Sequence, residues 1–479
     1  MRRIQVLLMC AVAIDCTSAP TGPWPEAETR TLHLTPTRYE LDLAVDYEAE
    51  TLTGRARIEV ENLADTTVSE IPFLLYRLLK VSDARDAQGR PLPFEQTVET
   101  FQDFEKLQVN FIRVRLPYGL APQASATVEL DYAGHLLGYA ETGMLYIQDR
   151  IAPDFTILRM DSFSYPQPGY PSFAANESAP QPSYAYTARI TVPDSLSVAN
   201  GGRLTAQAVA DGRATFTFEN IRLAWRMDFA IGDYRTLSAG PVRVVHFPQD
   251  AIGAQRVLTA VQASLRLFSE WFGPLHSDEG FTFIEIPDGW GSQADVTSVI
   301  QTAAAFRDPE RIGEVYHEVS HLWDPPSTDA NSPRWNEGLA EFLEVLASEH
   351  LHGLENRDME VERVREEIRG MFGKQPRYRE IPMMDYGKEQ VTGLSYRVGL
   401  LMFDVLHRLV GHEQFAQIIG EYYRLYADTG GTTDEFVKLA NRVTDRDLTR
   451  FFDDWIYTSR WYGLIESGIH ATDLADHYR

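Results

Sequence analysis

His317 and His321 stand four residues apart with Glu318 beside the first of them, and Glu337 follows in a second segment of helical periodicity. Residues four apart on a helix lie on one face about one turn apart, so these two imidazoles can converge on a single point. A chain that uses all three groups together must fold both segments as helices and pack one against the other. Local signals agree with this demand. Arg311 to Tyr316 have helical composition, and Pro325-Pro326 stops that helix just after Asp324. For the second helix, Ser332 is the expected N-cap and Pro333 the first helical residue, with Trp335, Leu339, Phe342 and Leu346 recurring at helical spacing.

Two histidines and one carboxylate suit a zinc ion, which at catalytic sites takes three protein ligands and keeps a fourth position for water. His317, His321 and Glu337 are the expected ligands of one zinc per chain. Glu318 would reach the activated water as general base instead of binding the metal. Glu341, one turn beyond Glu337, is placed to accept the second ring N–H of His317 or His321, the alternative being a solvated charge on the helix face. Glu344 is read as solvated. The rival reading of the whole stretch is a surface helix with two unrelated histidines.

Length and composition bound the class. With 479 residues, 44% of them hydrophobic, the chain can build two or three domains with sizeable cores. A net charge of -25 argues against nucleic acid or an anionic membrane surface as partner. Arg2-Arg3, an apolar run from Ile4 to Ile14 and a Pro/Gly-rich tether to about Pro25 read as a processing segment too short to span a membrane. Cys16 opens the tether as the lipid-bearing Cys of a bacterial lipoprotein does, although Asp15 departs from the small residue such sites prefer; ordinary signal cleavage is the alternative. Either way the expectation is an exported protein, periplasmic or membrane-anchored, with membrane contact only through a lipid on Cys16. Cys10 and Cys16 are the only cysteines, which excludes a disulfide framework and cysteine catalysis in the folded part.

From about Thr31 to Ser238 the pattern is β. Tyr39, Leu41, Leu43 and Val45 alternate with polar residues, as do Tyr184, Tyr186, Ala188, Ile190 and Val192, and then Ala214, Phe216 and Phe218. Asn200-Gly201-Gly202 and Asp211-Gly212 are turn signals. The stretch from Ser162 to Pro182 reads as a long irregular connection. Near Ala239-Gly240 the texture changes. A few strands follow, then helices over Gln249 to Phe272, Asn356 to Phe372, Gly393 to Val410, Glu413 to Tyr426 and Thr433 to Trp455.

Taken together, the zinc motif with Asn336-Glu337-Gly338, the strands around Tyr39-Glu40-Leu41-Asp42-Leu43 with Gly54 after them, Tyr170-Pro171-Ser172-Phe173, Val192-Pro193 and Ile231-Gly232-Asp233-Tyr234 resemble the aminopeptidase N and leukotriene hydrolase family of zinc metallopeptidases, the gluzincins. The resemblance spans roughly Leu32 to Trp455. It implies an α+β multidomain fold, in which an N-terminal antiparallel β saddle-like domain precedes a mainly helical thermolysin-like zinc catalytic domain. The large helical domain that many relatives carry after it is not expected. The divisions are then a signal segment (1–16), a tether (17–30), a β domain (31–239), a catalytic domain (240–465) and a C-terminal tail (466–479). By the same resemblance His317, His321 and Glu337 fall on the zinc ligands, Glu318 on the general base, and Tyr396, in Ser395-Tyr396-Arg397-Val398-Gly399, on the tyrosine that hydrogen-bonds the oxyanion. Read without the family, Tyr396 is a core aromatic with a satisfied hydroxyl.

Two departures from the family qualify what is carried over. Leu322 to Asn336 is fifteen residues, shorter than the family's usual spacing. And where relatives carry a Glu that binds the substrate's free amine, this chain reads Gly291-Ser292-Gln293-Ala294-Asp295, with Ala294 in place of the carboxylate. Gly291, Gln293 and Asp295 are the substrate-binding candidates of that stretch, and Glu341 and Asp288 are further candidates for the amine. The expected function is peptide-bond hydrolysis, aminopeptidase-like by resemblance. The alternatives are an endopeptidase or relaxed-specificity peptidase lacking the usual amine anchor, and a non-catalytic binding protein on the same fold.

Overall fold

Alternation of apolar and polar residues builds the N-terminal half. In the strand Leu34–Asp46 the side chains of Tyr39, Leu41, Leu43 and Val45 are buried and those of Glu40 and Asp42 are exposed, as period-two geometry requires of a sheet with one face on a core. The computed structural model describes residues 31–139, 148–177, 182–276, 280–353 and 356–479; the expected signal segment and tether, with Cys10 and Cys16, lie outside them. From Thr31 onward the described residues form one compact unit.

Leu34–Asp46 lies inside a seven-stranded sheet, antiparallel to Thr51–Asn62 on one side and parallel to Ala185–Pro193 on the other. That parallel pair departs from the purely antiparallel expectation, and it brings together strands far apart in sequence. Asp211 and Gly212, both at positive φ, make the two-residue turn between Arg203–Ala210 and Arg213–Glu219. A four-stranded and a three-stranded sheet complete this half. The stretch from Ser162 to Pro182 is no plain surface loop: Ser162, Ser164 and Tyr165 are buried, and the Tyr165 hydroxyl donates to the Met227 carbonyl.

The second half opens with a five-stranded sheet whose order is Arg235–Ala239, Val242–His246, Phe281–Ile286, Ser298–Thr302 and Gln293–Asp295. The three central strands run parallel and the two outer ones antiparallel. Ala239-Gly240, read as the change of texture, is the turn of the hairpin joining the first two strands, so this sheet starts at Arg235. Helices α1 (Ala251–Phe272), α2 (Gly313–Ser320), α3 (Trp335–His352), α4 (Arg357–Lys374), α5 (Leu394–Val410), α6 (His412–Tyr426) and α7 (Thr433–Thr444) supply most of the second core. The stretch expected to be helical from Thr433 to Trp455 is broken at Asp445, whose φ is 49°. The segment after 465 is more than a tail: Leu474 and Ala475 are buried in the helical core. Among the described residues no helix is long and apolar enough to cross a membrane.

A third cluster ties the halves together, with Phe155, Ile157 and Ala230 of the β half packed with Phe247, Ile284 and Ile300 of the second.

Candidate metal centre

The two histidines reach one point by a route slightly different from a continuous helix. α2 ends at Ser320, and His321–Trp323 tightens into a 3-10 turn before Pro325-Pro326. Trp323 fastens that turn by donating its indole N–H to the Gly273 carbonyl at 2.9 Å. The short loop to α3 is pinned onto the start of α7: the Thr433 backbone N–H donates to Asp329 Oδ2 at 2.9 Å, and the Trp335 indole donates to Thr433 Oγ1 at 2.9 Å. A shorter loop than the family's is thereby held without moving Glu337 off the histidines. Ser332 does not cap α3. Its hydroxyl accepts from the Arg334 N–H at 3.2 Å, Pro333 lies outside the helix, and Arg334 is the N-cap, at φ 55°.

Glu337 Oε2 faces His317 Nε2 at 3.7 Å and His321 Nε2 at 3.5 Å, and the three ligand atoms lie within 4.8 Å of one another. Donors about 2.0–2.1 Å from one zinc ion lie 3.5–3.7 Å apart at angles of roughly 113–135°, so the two separations from Glu337 suit a shared metal. Glu337 also sits in the first turn of α3, where the helix N-terminus favours its negative charge. Burial alone would raise its carboxyl pKa, but Arg334 and the two histidines hold it well below the usual carboxylate range. Burial works against a charged His321, and Asp324 and Glu337 more than reverse that, holding its pKa well above the ordinary value.

The carboxylates behind the histidines are not the one expected. Asp324 Oδ2 faces His321 Nδ1 at 3.7 Å and accepts from Asn336 Nδ2 at 2.8 Å. Glu344 Oε2 faces His317 Nδ1 at 3.8 Å, where a solvated residue was expected. Glu341, by contrast, accepts from Arg397 Nη1 at 2.8 Å. Glu337, Glu341 and Glu344 of α3 share a face, and the choice falls on Glu344 because Arg397 of α5 reaches across and takes Glu341. Helical spacing shows that Glu344 is available; only the packing of α5 shows that Glu341 is not.

Glu318 is buried beside the cluster, and that burial raises its pKa above the ordinary carboxylate value. Tyr396 stacks on His317, ring centroids 6.5 Å apart and planes 5° apart. Burial, with Glu337 nearby, pushes its phenol pKa well up, so it is a protonated donor at neutral pH. What brings it so near is the crossing of α3 and α5 at two glycines. A Cβ added to Gly338 would meet Gly399 Cα at 2.4 Å and the Ser395 carbonyl at 2.5 Å, so both helices must lack a side chain there.

The strand Gln293–Asp295 is the edge of its sheet, alongside α2. Neighbouring side chains alternate across it. Ala294 packs with the helical core, which also holds Val319 of α2 and Leu339 of α3. Gln293 and Asp295 turn the other way, into a charged cluster of the β half. Gln293 Oε1 accepts from Arg159 Nη1 at 3.2 Å and from Arg226 Nη2 at 2.5 Å. Arg159 and Arg226 are each held in two-pronged pairs, with Asp149 and Asp228. Asp295 lies against Arg226 and Asp228, and burial pushes its pKa up to about 7. Asp288 accepts from the Ala304 N–H at 2.7 Å and pairs with Arg307 at 3.1 Å. Gly291 contributes only backbone to the turn before the strand. Of the substrate-binding candidates on this strand, then, the one carboxylate, Asp295, is turned to Arg226 and Asp228, away from the face on which Ala294 packs.

Comparison with known proteins adds the family. Residues 298–455 match the peptidase family M1 domain, a stretch that contains both histidines, Glu318, Glu337 and Tyr396. The chain carries a peptidase family M1 domain. That domain is one of zinc-dependent peptidases, and His317, His321 and Glu337 form the cluster in it able to hold the ion. The fold is similar to that of an M1 zinc metallopeptidase from Deinococcus radiodurans, at 20% identity and a TM-score of 0.64, over 88% of this chain and 93% of that one. A point mutant of the M1 zinc metallopeptidase from that organism, bound to a Tyr-Ser-Ala substrate, is similar at 21% identity and a TM-score of 0.63, over 88% and 94%. A two-domain M1 zinc metallopeptidase mutant bound to L-arginine is similar at 20% identity and a TM-score of 0.61, over 88% and 94%. These likenesses agree with a β-rich domain followed by a helical one. A comparison with curated proteins gives no match.

Proposed function

We propose that this M1 domain hydrolyses peptide bonds in the manner of an aminopeptidase whose hold on the free amine is weakened. Zinc, when held by His317, His321 and Glu337, supplies a Lewis acid and lowers the pKa of a water. Glu318 takes a proton from the attacking water and delivers it to the leaving amine, a task helped by burial that raises its carboxyl pKa above the ordinary value. Tyr396 donates its phenolic hydrogen to the oxygen on which negative charge develops. Asp324 and Glu344 hold the His321 and His317 rings from behind.

The observation that carries the specificity reading is the direction of the edge strand: Ala294 packs against the helical core that also holds Val319 and Leu339 of the two ligand-bearing helices, while Gln293 and Asp295 are committed to Arg159, Arg226 and Asp228. An ammonium brought there would be desolvated with no carboxylate from this strand to meet it. The test compares kcat/KM for matched peptides with free and N-acetylated termini. Acetylation should cost less than about 3 kcal/mol, the upper end for a charge-assisted hydrogen bond. Strict dependence on a free amine, abolished in Asp295→Asn with zinc retained, would instead make Asp295 the anchor.

Arg2-Arg3 and the apolar run to Ile14 support an exported protein, with Cys16 as the acceptor of any lipid. The intact mass of the mature protein separates lipidation at Cys16 from simple cleavage.

A further inference from the structure

Arg334 is a residue at the metal centre that neither the spacing of the motif nor the proposed chemistry accounts for. It stands at φ 55°, in the left-handed region that is strained for a residue with a Cβ and that glycine enters freely. Such strain is kept where the side chain is used. Here the side chain is used on Glu337: three residues away across the first turn of α3, its guanidinium pairs with Oε1, while Oε2 of the same carboxylate faces His317 and His321. One carboxylate thus has its two oxygens turned to different partners, Oε1 to the guanidinium and Oε2 to the histidine pair.

That division matters because a glutamate can offer a metal one oxygen or both. With both, the carboxylate takes the position that a catalytic site must leave open for water. An Arg fork on Oε1 holds that oxygen away, and Arg is suited to it because it is always charged and geometrically rigid. We propose that Arg334 is a positioning residue that keeps Glu337 a one-oxygen zinc ligand and so keeps the fourth position open. The proposal rests on Glu337 being a ligand.

The experiment uses the full chain loaded with zinc, and separately with cobalt(II), whose visible absorption is stronger in four-coordinate than in five-coordinate sites. The variants are Arg334→Ala, Arg334→Gly and Arg334→Lys; the glycine form relieves the left-handed strain, so folding is not the obstacle. In Arg334→Ala and Arg334→Gly the cobalt absorption should weaken to that of a higher coordination number. kcat should fall about tenfold or more, in the range set by loss of a group that holds a ligand, while zinc affinity holds or tightens. Arg334→Lys, which keeps one charged donor, should restore much of the wild-type spectrum. An unchanged cobalt spectrum in both Arg334→Ala and Arg334→Gly overturns the proposal, whatever happens to activity. Glu337→Ala in the same assays separates the two layers: if it keeps zinc and the spectrum, the ligand assignment fails. If it loses zinc while the Arg334 variants keep the wild-type spectrum, only the role of Arg334 fails.

Discussion

Replacing Gly338 by alanine should damage catalysis more than stability, and the size of both effects follows from one helix crossing. The new Cβ would lie 2.4 Å from Gly399 Cα and 2.5 Å from the Ser395 carbonyl, where ordinary contact begins at 3.4 Å. The difference, 3.4 minus 2.4, means that α3 and α5 must part by about 1 Å, since neither neighbour is a flexible side-chain end. Overpacking of this kind costs about 1–3 kcal/mol, and the helix propensity of alanine over glycine returns about 0.5–1 kcal/mol. A net loss of about 0–2.5 kcal/mol is expected in denaturant unfolding of the zinc-loaded protein. Tyr396 sits on the helix that is pushed away, and a misplacement of about 1 Å at a catalytic group costs on the order of a hundredfold in rate. Gly399→Ala, whose Cβ would meet Gly338 Cα at 2.8 Å, should be milder. Gly370→Ala is the control: nothing lies within 4 Å of its Cβ on α4, so it should stabilise by about 0.5–1 kcal/mol and leave kcat alone. Wild-type stability and kcat in Gly338→Ala would refute the claim that this contact sets the position of Tyr396.

Tyr396→Phe should lower kcat more than it raises KM at saturating zinc, because its hydrogen bond forms chiefly in the transition state; a pure rise in KM would assign it to substrate binding. The protein should also lose stability on acidification through His407. Burial, with Arg357 nearby, lowers its pKa to about 3, against about 6.5 in an unfolded chain. Between those values the unfolded state binds the extra proton, so stability rises with pH and falls as pH drops from about 6.5 toward 3. Unfolding free energies of wild type and His407→Leu, taken in metal-free protein at several pH values, should diverge in that window. Parallel curves would remove His407 from the account.

The parts of the site legible in the sequence are those carried by short spacing. The two histidines, Glu318 and Glu337 declare themselves by helical period, and the alternation around Tyr39 and Ile190 marks strands whose inward faces are indeed buried. Tyr396 needed the resemblance, since nothing local distinguishes it from a core tyrosine. Glu344 and Glu341 look alike in sequence, and the approach of Arg397 from α5 decides between them. Arg334 stayed hidden because its role depends on the helix starting at Trp335 and on a left-handed residue before it, whereas Ser332 and Pro333 gave a reasonable but mistaken start. The cluster of Arg159, Arg226 and Gln293 joins segments far apart in the chain, which no periodicity reports. The hairpin over Ala239-Gly240 reads as a boundary because a turn and a change of domain leave the same small-residue mark.

The most direct test of catalysis at this centre is hydrolysis of a peptide by Glu318→Gln, measured with zinc content on the same sample. The amide keeps the size of the side chain and removes the base, so zinc should remain at about one per chain while kcat falls by roughly a hundredfold or more. Hydrolysis at the wild-type rate by zinc-loaded Glu318→Gln would contradict the mechanism.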